Sequence, residues 1–511
     1  MSKMKKKNRI VLISLLMALV LLVVFYVWFT NDKDKQDSLI DNPEVDKGSK
    51  GLTLATIDPA KLDYLHLTNE GMDIELIIEG EEWKDQSEPE RPINQHYVKN
   101  MIDLIDVIIS QRIINDNPGD LAEYGLDKPE VLINARESDG RAITLRLGDS
   151  AVGVDGVYAQ VNEDNNVYLL GNAYSSGFSY SQLDMTAVED APNIKPEEIY
   201  HVEVLKRDGE DFELLYDPKN EHDITYTGMF PWIILKPYSR TYSASGEKVT
   251  EFQKRFVKFR FLYCVDYNSK DLSAYGLADP MATVNIGYYK TYTMKLDKPE
   301  IHPESGQELN EKTYYEDLNY KIHVGNLNDG YYYVMKDGVN SVYTMKAEDV
   351  DTMLDIDSFD LINPFISILN IVSADKIVAE IEGNTYIMEI KRSTSTTEAN
   401  EEDTTETYYY NGKIVSGEDF KDVYQMIVSP TYDSKINSDT VINTDTIKPY
   451  LTISFYLNDE KGTVLTTSYL PYDESFYLIQ KAEEDNRLHY FGADKRKIDD
   501  IAKAIHNLYE Y

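Results

Sequence analysis

At 511 residues the chain is too long for one hydrophobic core, which implies two to four domains. Its 42% hydrophobic and 11% aromatic content supports packed domains and excludes global disorder. The net charge of −38 is segregated: residues 1–9 hold five cations and no acid, which leaves −43 on the rest, and so acidic a body repels nucleic acid and anionic lipid.

The cations Lys3, Lys5, Lys6, Lys7 and Arg9 precede residues 10–29, a run of 20 whose only clearly polar member is Ser14. At 1.5 Å per residue a helix there spans about 30 Å, the thickness of a bilayer's hydrocarbon core. Tyr26 and Trp28 close it, where amphipathic rings prefer the interface. The positive-inside rule puts residues 1–9 in the cytoplasm and residues 30–511 outside, on a single-pass cell-membrane anchor. A cleaved signal peptide is the competing reading, but the bulky Val27-Trp28-Phe29 lacks a small-x-small cleavage site. Residues 30–55 read as a polar tether.

Beyond the tether the chain repeats three times, as units 56–190, 191–362 and a divergent 363–511. Each opens on strand-like alternation, introduced by Pro59 with Leu62, Pro196 with Ile199, and Ala374 with Ile377. Each then shows a helix. From candidate N-caps Asn94, Ser245 and Ser416, apolar residues fall at offsets 4, 7 and 11: Val98, Met101, Ile105; Val249, Phe252, Phe256; Phe420, Val423, Ile427. A proline corner follows, 35, 35 and 33 residues after each cap. It reads Tyr124-Gly125-Leu126-Asp127-Lys128-Pro129 in copy one and Tyr275-Gly276-Leu277-Ala278-Asp279-Pro280 in copy two. Copy three keeps only Lys448-Pro449.

The corner glycines suit a tight turn with positive φ, and each proline pushes the preceding residue toward a strand. The corner is thus a structural hinge between a helical half and a meander of strands. Gly148-Asp149 and Gly325-Asn326 recur inside the meander, and a tyrosine-bearing hairpin follows. The fold class is therefore α+β: an N-terminal transmembrane helix, then three related units of antiparallel strands with one main amphipathic helix each. Two tracts interrupt the repeat. Residues 297–318 read as an extra polar segment, and residues 393–406 as a mobile hairpin loop.

The Tyr-Gly-Leu-x-x-Pro corner, the strand after it, the Gly-Asp and the tyrosine hairpin resemble the domain-of-unknown-function 4340 family of bacterial envelope proteins. The resemblance covers roughly residues 59–360. It implies a membrane-anchored, extracytoplasmic accessory role, because members are often encoded beside ABC-2-type export systems, including those associated with gliding motility. The expected partners are then ABC transporter permease and ATPase subunits. The resemblance supplies no catalytic residue.

No motif for a reaction stands out, so the chain reads as a non-enzyme with no cofactor and no metal site. The single Cys264 sits in an apolar segment and reads as core. The eight histidines lack the His-Glu-x-x-His spacing. Gly177-Phe178-Ser179-Tyr180-Ser181 lacks the second glycine of a nucleophile elbow. Residues 115–120 carry oxygen ligands but no bidentate glutamate at the twelfth position, and read as a turn rather than a calcium loop. The 40 tyrosines are the most unusual feature. In the runs Tyr331-Tyr332-Tyr333 and Tyr408-Tyr409-Tyr410, alternation forces some rings outward, which offers a possible binding face. The alternative function is accordingly a polysaccharide-binding or adhesion module that uses these hairpins.

Overall fold

The computed structural model describes residues 51–222, 230–257, 260–301, 307–396, 402–436, 442–481 and 490–509. The expected transmembrane run at 10–29 lies outside them. Among the described residues no helix is long and apolar enough to cross a membrane. The chain divides into two compact units, one ending at Val188 and the other beginning at Glu189.

The first unit holds one eight-stranded antiparallel sheet, copy one. Its strands lie side by side in the order Glu82–Asp85, Met72–Glu79, Leu62–Asn69, Val131–Glu137, Ala142–Ser150, Val157–Val161, Val167–Leu170, Arg112–Asn115. A small two-stranded sheet pairs Leu52–Thr56 with Val107–Ser110. The second unit holds two nine-stranded sheets built in the same order. Copy two places Ile199–Lys206 beside Ala282–Ile301 at the centre, with Cys264–Asp266 on the far edge. Copy three places Ala374–Ile381 beside Leu451–Leu457, with Ser434–Ile436 on the far edge.

The path is the same each time. Strands run outward from the centre to one edge. A helix crosses over, and a short strand forms the opposite edge. The proline corner then returns the chain to the centre, and the meander runs back out to meet that edge strand. The corner is therefore a return across the sheet, a closer description than the hinge inferred from spacing. A β-bulge at the second residue of each central strand adds to the likeness: the register shifts between Leu62 and Tyr64, between Ile199 and His201, and between Ala374 and Lys376. That register also corrects one alignment, since Ala374 stands where Leu62 and Ile199 stand, not where Pro59 and Pro196 do.

The three helices form where the caps and stripes place them: Gln95–Ile105, Gly246–Gln253 and Gly417–Val428. All nine stripe residues are buried against their sheets. Each such side chain contributes about 1.5–3 kcal/mol of hydrophobic stabilisation. Asn94 accepts N–H bonds from His96 and Tyr97, and Ser416 accepts one from Asp419. Ser245 makes no side-chain cap bond. A second helix closes copies two and three at Ala347–Leu354 and Lys495–His506. Copy one has a short counterpart, Asn172–Gly177, which its sequence did not reveal.

In the second unit an aromatic cluster joins copies two and three. The Phe491 ring meets those of Tyr238, Tyr242, Tyr432 and Phe359 with centroids 5.2–5.5 Å apart. Three of these pairs are edge-to-face and the Phe359 pair is stacked, and aromatic pairs of either kind add about 0.5–1.5 kcal/mol each beyond burial.

The described residues of both interrupting tracts lie in paired strands. In copy two, Ala282–Ile301 pairs with Glu308–Asn328 from Ala282 opposite Val324 to Ile301 opposite Glu308, with a register shift between Lys295 and Glu300. Past Tyr288, which pairs Ile199, and before Ile322, which pairs Lys336, this hairpin has no third strand among the described residues. It stands beyond the sheet as a two-stranded arm. In copy three the tract read as a loop pairs out to Thr396 opposite Glu402. Arg392 fastens its base, bonding Asp375, Glu406 and the carbonyls of Ala374 and Ile371. Polar, exposed strands carry no alternation, and so the sequence pattern alone did not mark them.

Candidate functional site

The motif residues assemble into a lock. In copy one the chain rises through the turn Ala122–Tyr124 and passes Gly125 at φ 68°; in copy two it passes Gly276 at φ 69°. Asp120 and Asp271 cap the two turns by accepting N–H bonds from Ala122 and Ser273. Leu126 and Leu277 are buried. The Tyr124 ring meets Tyr158 edge-on at 5.1 Å, and Tyr275 meets Tyr333 at 5.0 Å. Their hydroxyls are bonded to the edge strand, with Asn115 donating to Tyr124 and Tyr275 donating to Asp266. Asn115 and Asp120, the two ends of the segment weighed for calcium, are thus both engaged in the corner. Among the described residues no three His, Cys, Asp or Glu side chains converge as a metal site would require.

The tyrosine runs divide by strand parity. Tyr332, Tyr408 and Tyr410 are buried. Tyr332 donates to Asp351, and Tyr410 to the Ile505 carbonyl at 2.6 Å. Burial pushes the Tyr410 hydroxyl up to about 12. Tyr333 belongs to the corner lock, and Tyr409 lies under the Lys391 ammonium. Tyr331 alone of the six is exposed, at 37%. The runs serve mainly as packing, and the outward-facing chemistry lies elsewhere.

It lies at the root of the copy-two arm. In copies one and three the bulged residue of the central strand is an aspartate held by an arginine: Asp63 by Arg136, Asp375 by Arg392. In copy two it is Tyr200, and the facing residue is Gly287, where a Cβ would stand 2.9 Å from the Tyr200 ring. The ring therefore lies flat over the glycine and stacks on Tyr289 at 4.3 Å. Tyr289 meets Tyr315 edge-on at 6.4 Å. On the neighbouring strands the Tyr216 ring lies 5.1 Å from that of Trp232. Asp317 stands opposite Tyr289 in register. Burial, and then the Asp317 charge, hold the Tyr200 and Tyr289 hydroxyls above their ordinary range, so they stay protonated donors. No pattern in the sequence marked these residues, because the bulge that aims Tyr200 is a property of register.

An open depression of about 280 Å³ also lies in copy two, lined by residues that include Lys206, Tyr332, Asp351 and Leu354. Two of its polar side chains are already engaged: Lys206 donates to the Leu354 carbonyl and Tyr332 to Asp351.

No curated protein and no solved structure matches the chain. The model of a family described as "Domain of unknown function (DUF4340)" matches residues 83–280, from Trp83 in copy one to Pro280 at the corner of copy two. That span is narrower than the 59–360 suggested by the motifs, and it takes in both Tyr-Gly-Leu-x-x-Pro corners. The chain carries a domain of the DUF4340 family over residues 83–280.

Proposed function

We propose that the chain is a non-enzymatic, membrane-anchored, extracytoplasmic protein that serves an ABC-type export complex as an accessory subunit. The anchor reading rests on the apolar run at 10–29 behind its basic tail. The exporter rests on the family resemblance. The observation that carries a binding role is the copy-two arm. One of its faces exposes Tyr292, Met294 and Tyr314 beyond the sheet, where they cover no core of this chain. Aromatic and methionine side chains on a projecting element suit a protein partner.

The test is cross-linking in membranes, then purification in mild detergent. The expected result is recovery of a transporter permease or ATPase with the wild-type chain and its loss with Tyr292→Ser, Met294→Ser and Tyr314→Ser combined. Recovery of neither subunit with the wild type sinks the reading.

A further inference from the structure

From the outer root of the copy-two arm we infer a polysaccharide-binding strip formed by Tyr200, Tyr289, Tyr315 and Asp317, whose occupant is a linear chain of uncharged sugars. Three observations carry it. First, the hydroxyls of Tyr200, Tyr289 and Tyr315 bond to no other described residue, unlike those of the corner tyrosines Tyr124 and Tyr275. The Tyr200, Tyr289 and Tyr315 hydroxyls are open to a ligand. Second, Asp317 is exposed, opposes Tyr289 and has no ion-pair or hydrogen-bond partner among the described residues, which leaves both oxygens to accept sugar hydroxyls. Third, the Tyr200, Tyr289 and Tyr315 rings form a continuous series from the sheet onto the arm, with Tyr315 71% exposed.

A row of flat apolar faces with polar groups at its margin matches a sugar chain, whose rings have apolar faces and hydroxyl rims. Charge selects among sugars. Asp317 and a net charge of −38 repel anionic polymers and leave uncharged ones. The strip exists in copy two only, because Asp63 and Asp375 hold the bulge position in the other copies. The inference is independent of the exporter reading, since it concerns the opposite face of the arm from Tyr292, Met294 and Tyr314.

The experiment is co-sedimentation of the full-length chain, in detergent, with insoluble cellulose and chitin, and affinity electrophoresis with hyaluronan as the anionic comparator. The wild type is expected to bind at least one uncharged polymer and not hyaluronan. Tyr315→Ala together with Asp317→Ala is expected to weaken binding about tenfold, while Tyr263→Ala, at an exposed ring elsewhere, leaves it unchanged. Tyr315 covers no core, and thermal unfolding of the variant is compared with wild type to confirm the fold. Failure of the wild type to bind either polymer overturns the inference. So does unchanged binding by the double variant, including the case in which that variant instead loses a membrane-protein partner.

Discussion

Gly148 lies directly against the carbonyl of Tyr124: a Cβ on the glycine would stand 2.1 Å from that oxygen. Copy two repeats the relationship, with Gly325 under the Tyr275 carbonyl at 2.2 Å. The corner and the Gly-Asp or Gly-Asn of the meander, 24 residues apart in copy one and 50 in copy two, are therefore two halves of one contact. Gly148→Ala is expected to lower the stability of the first unit by about 1–3 kcal/mol, as overpacking against rigid backbone does. Gly125→Val adds left-handed strain of about 1–2 kcal/mol to a clash with Asp149. Urea unfolding followed by tyrosine fluorescence reads both. Unchanged midpoints would refute the lock.

Copy three needs the opposite residue at the same place. Register puts Leu470 where Gly148 and Gly325 stand, and Leu478 where Tyr158 and Tyr333 stand. Both are buried in a cluster with Ile436 and Tyr490, against which Ile447 packs. An apolar plug has replaced the tyrosine lock as a set. Leu470→Ala is expected to cost about 2–5 kcal/mol through the cavity it leaves. Hydrogen exchange of the strand Val464–Pro471 is the local readout, and protection equal to wild type would contradict the plug.

The helix caps differ in what they do. Asn94→Ala and Ser416→Ala are each expected to cost about 1 kcal/mol, because each removes an acceptor for first-turn N–H groups. Ser245→Ala is expected to fall within about 0.5 kcal/mol of wild type, because its hydroxyl caps nothing. Thermal unfolding of the three variants gives the ranking, and a Ser245 effect equal to the others would overturn it.

Asp433 couples the far edge of copy three to its closing helix. It accepts from Lys497 at 2.8 Å, from Thr431 and from the Asp494 N–H. Burial pushes its carboxyl up, but the Lys497 ammonium and these bonds outweigh burial and hold it below the usual carboxylate range. A depressed folded value means that the stabilisation is present above about pH 4 and is lost as pH falls through the folded value. Asp433→Asn is expected to cost about 1 kcal/mol at pH 7, allowing for solvent screening. The gap from wild type should close in acid. A gap that persists at pH 2 would show that Asp433 acts by packing instead.

What the sequence made legible was whatever obeys a local rule. The offsets from Asn94, Ser245 and Ser416 are helix geometry, and Gly125 and Gly276 are demanded by a left-handed backbone; both kinds of feature stand where the pattern put them. The arm was not legible, because two polar strands that pair only with each other need no alternation. Nor was the aromatic strip, since Tyr200 acquires its direction from a bulge and from a glycine 87 positions later. The Tyr408 and Tyr410 rings drew attention by composition and turned out to be buried.

The route through each sheet sets a timetable for folding. Leu65 pairs with Ala135, 70 residues on, Val202 with Ile286, 84 on, and Ile377 with Phe455, 78 on. Closing loops of that length carries an entropic cost before any contact repays it, so the central pairing is a late and slow event. During synthesis the first hairpin of each copy leaves the ribosome with one long edge open, and only the passage through the corner supplies the strand that covers it. A damaged corner would thus do more than weaken a finished sheet: it would prolong the interval in which Leu62–Asn69 and its counterparts are open to pairing with a neighbouring chain.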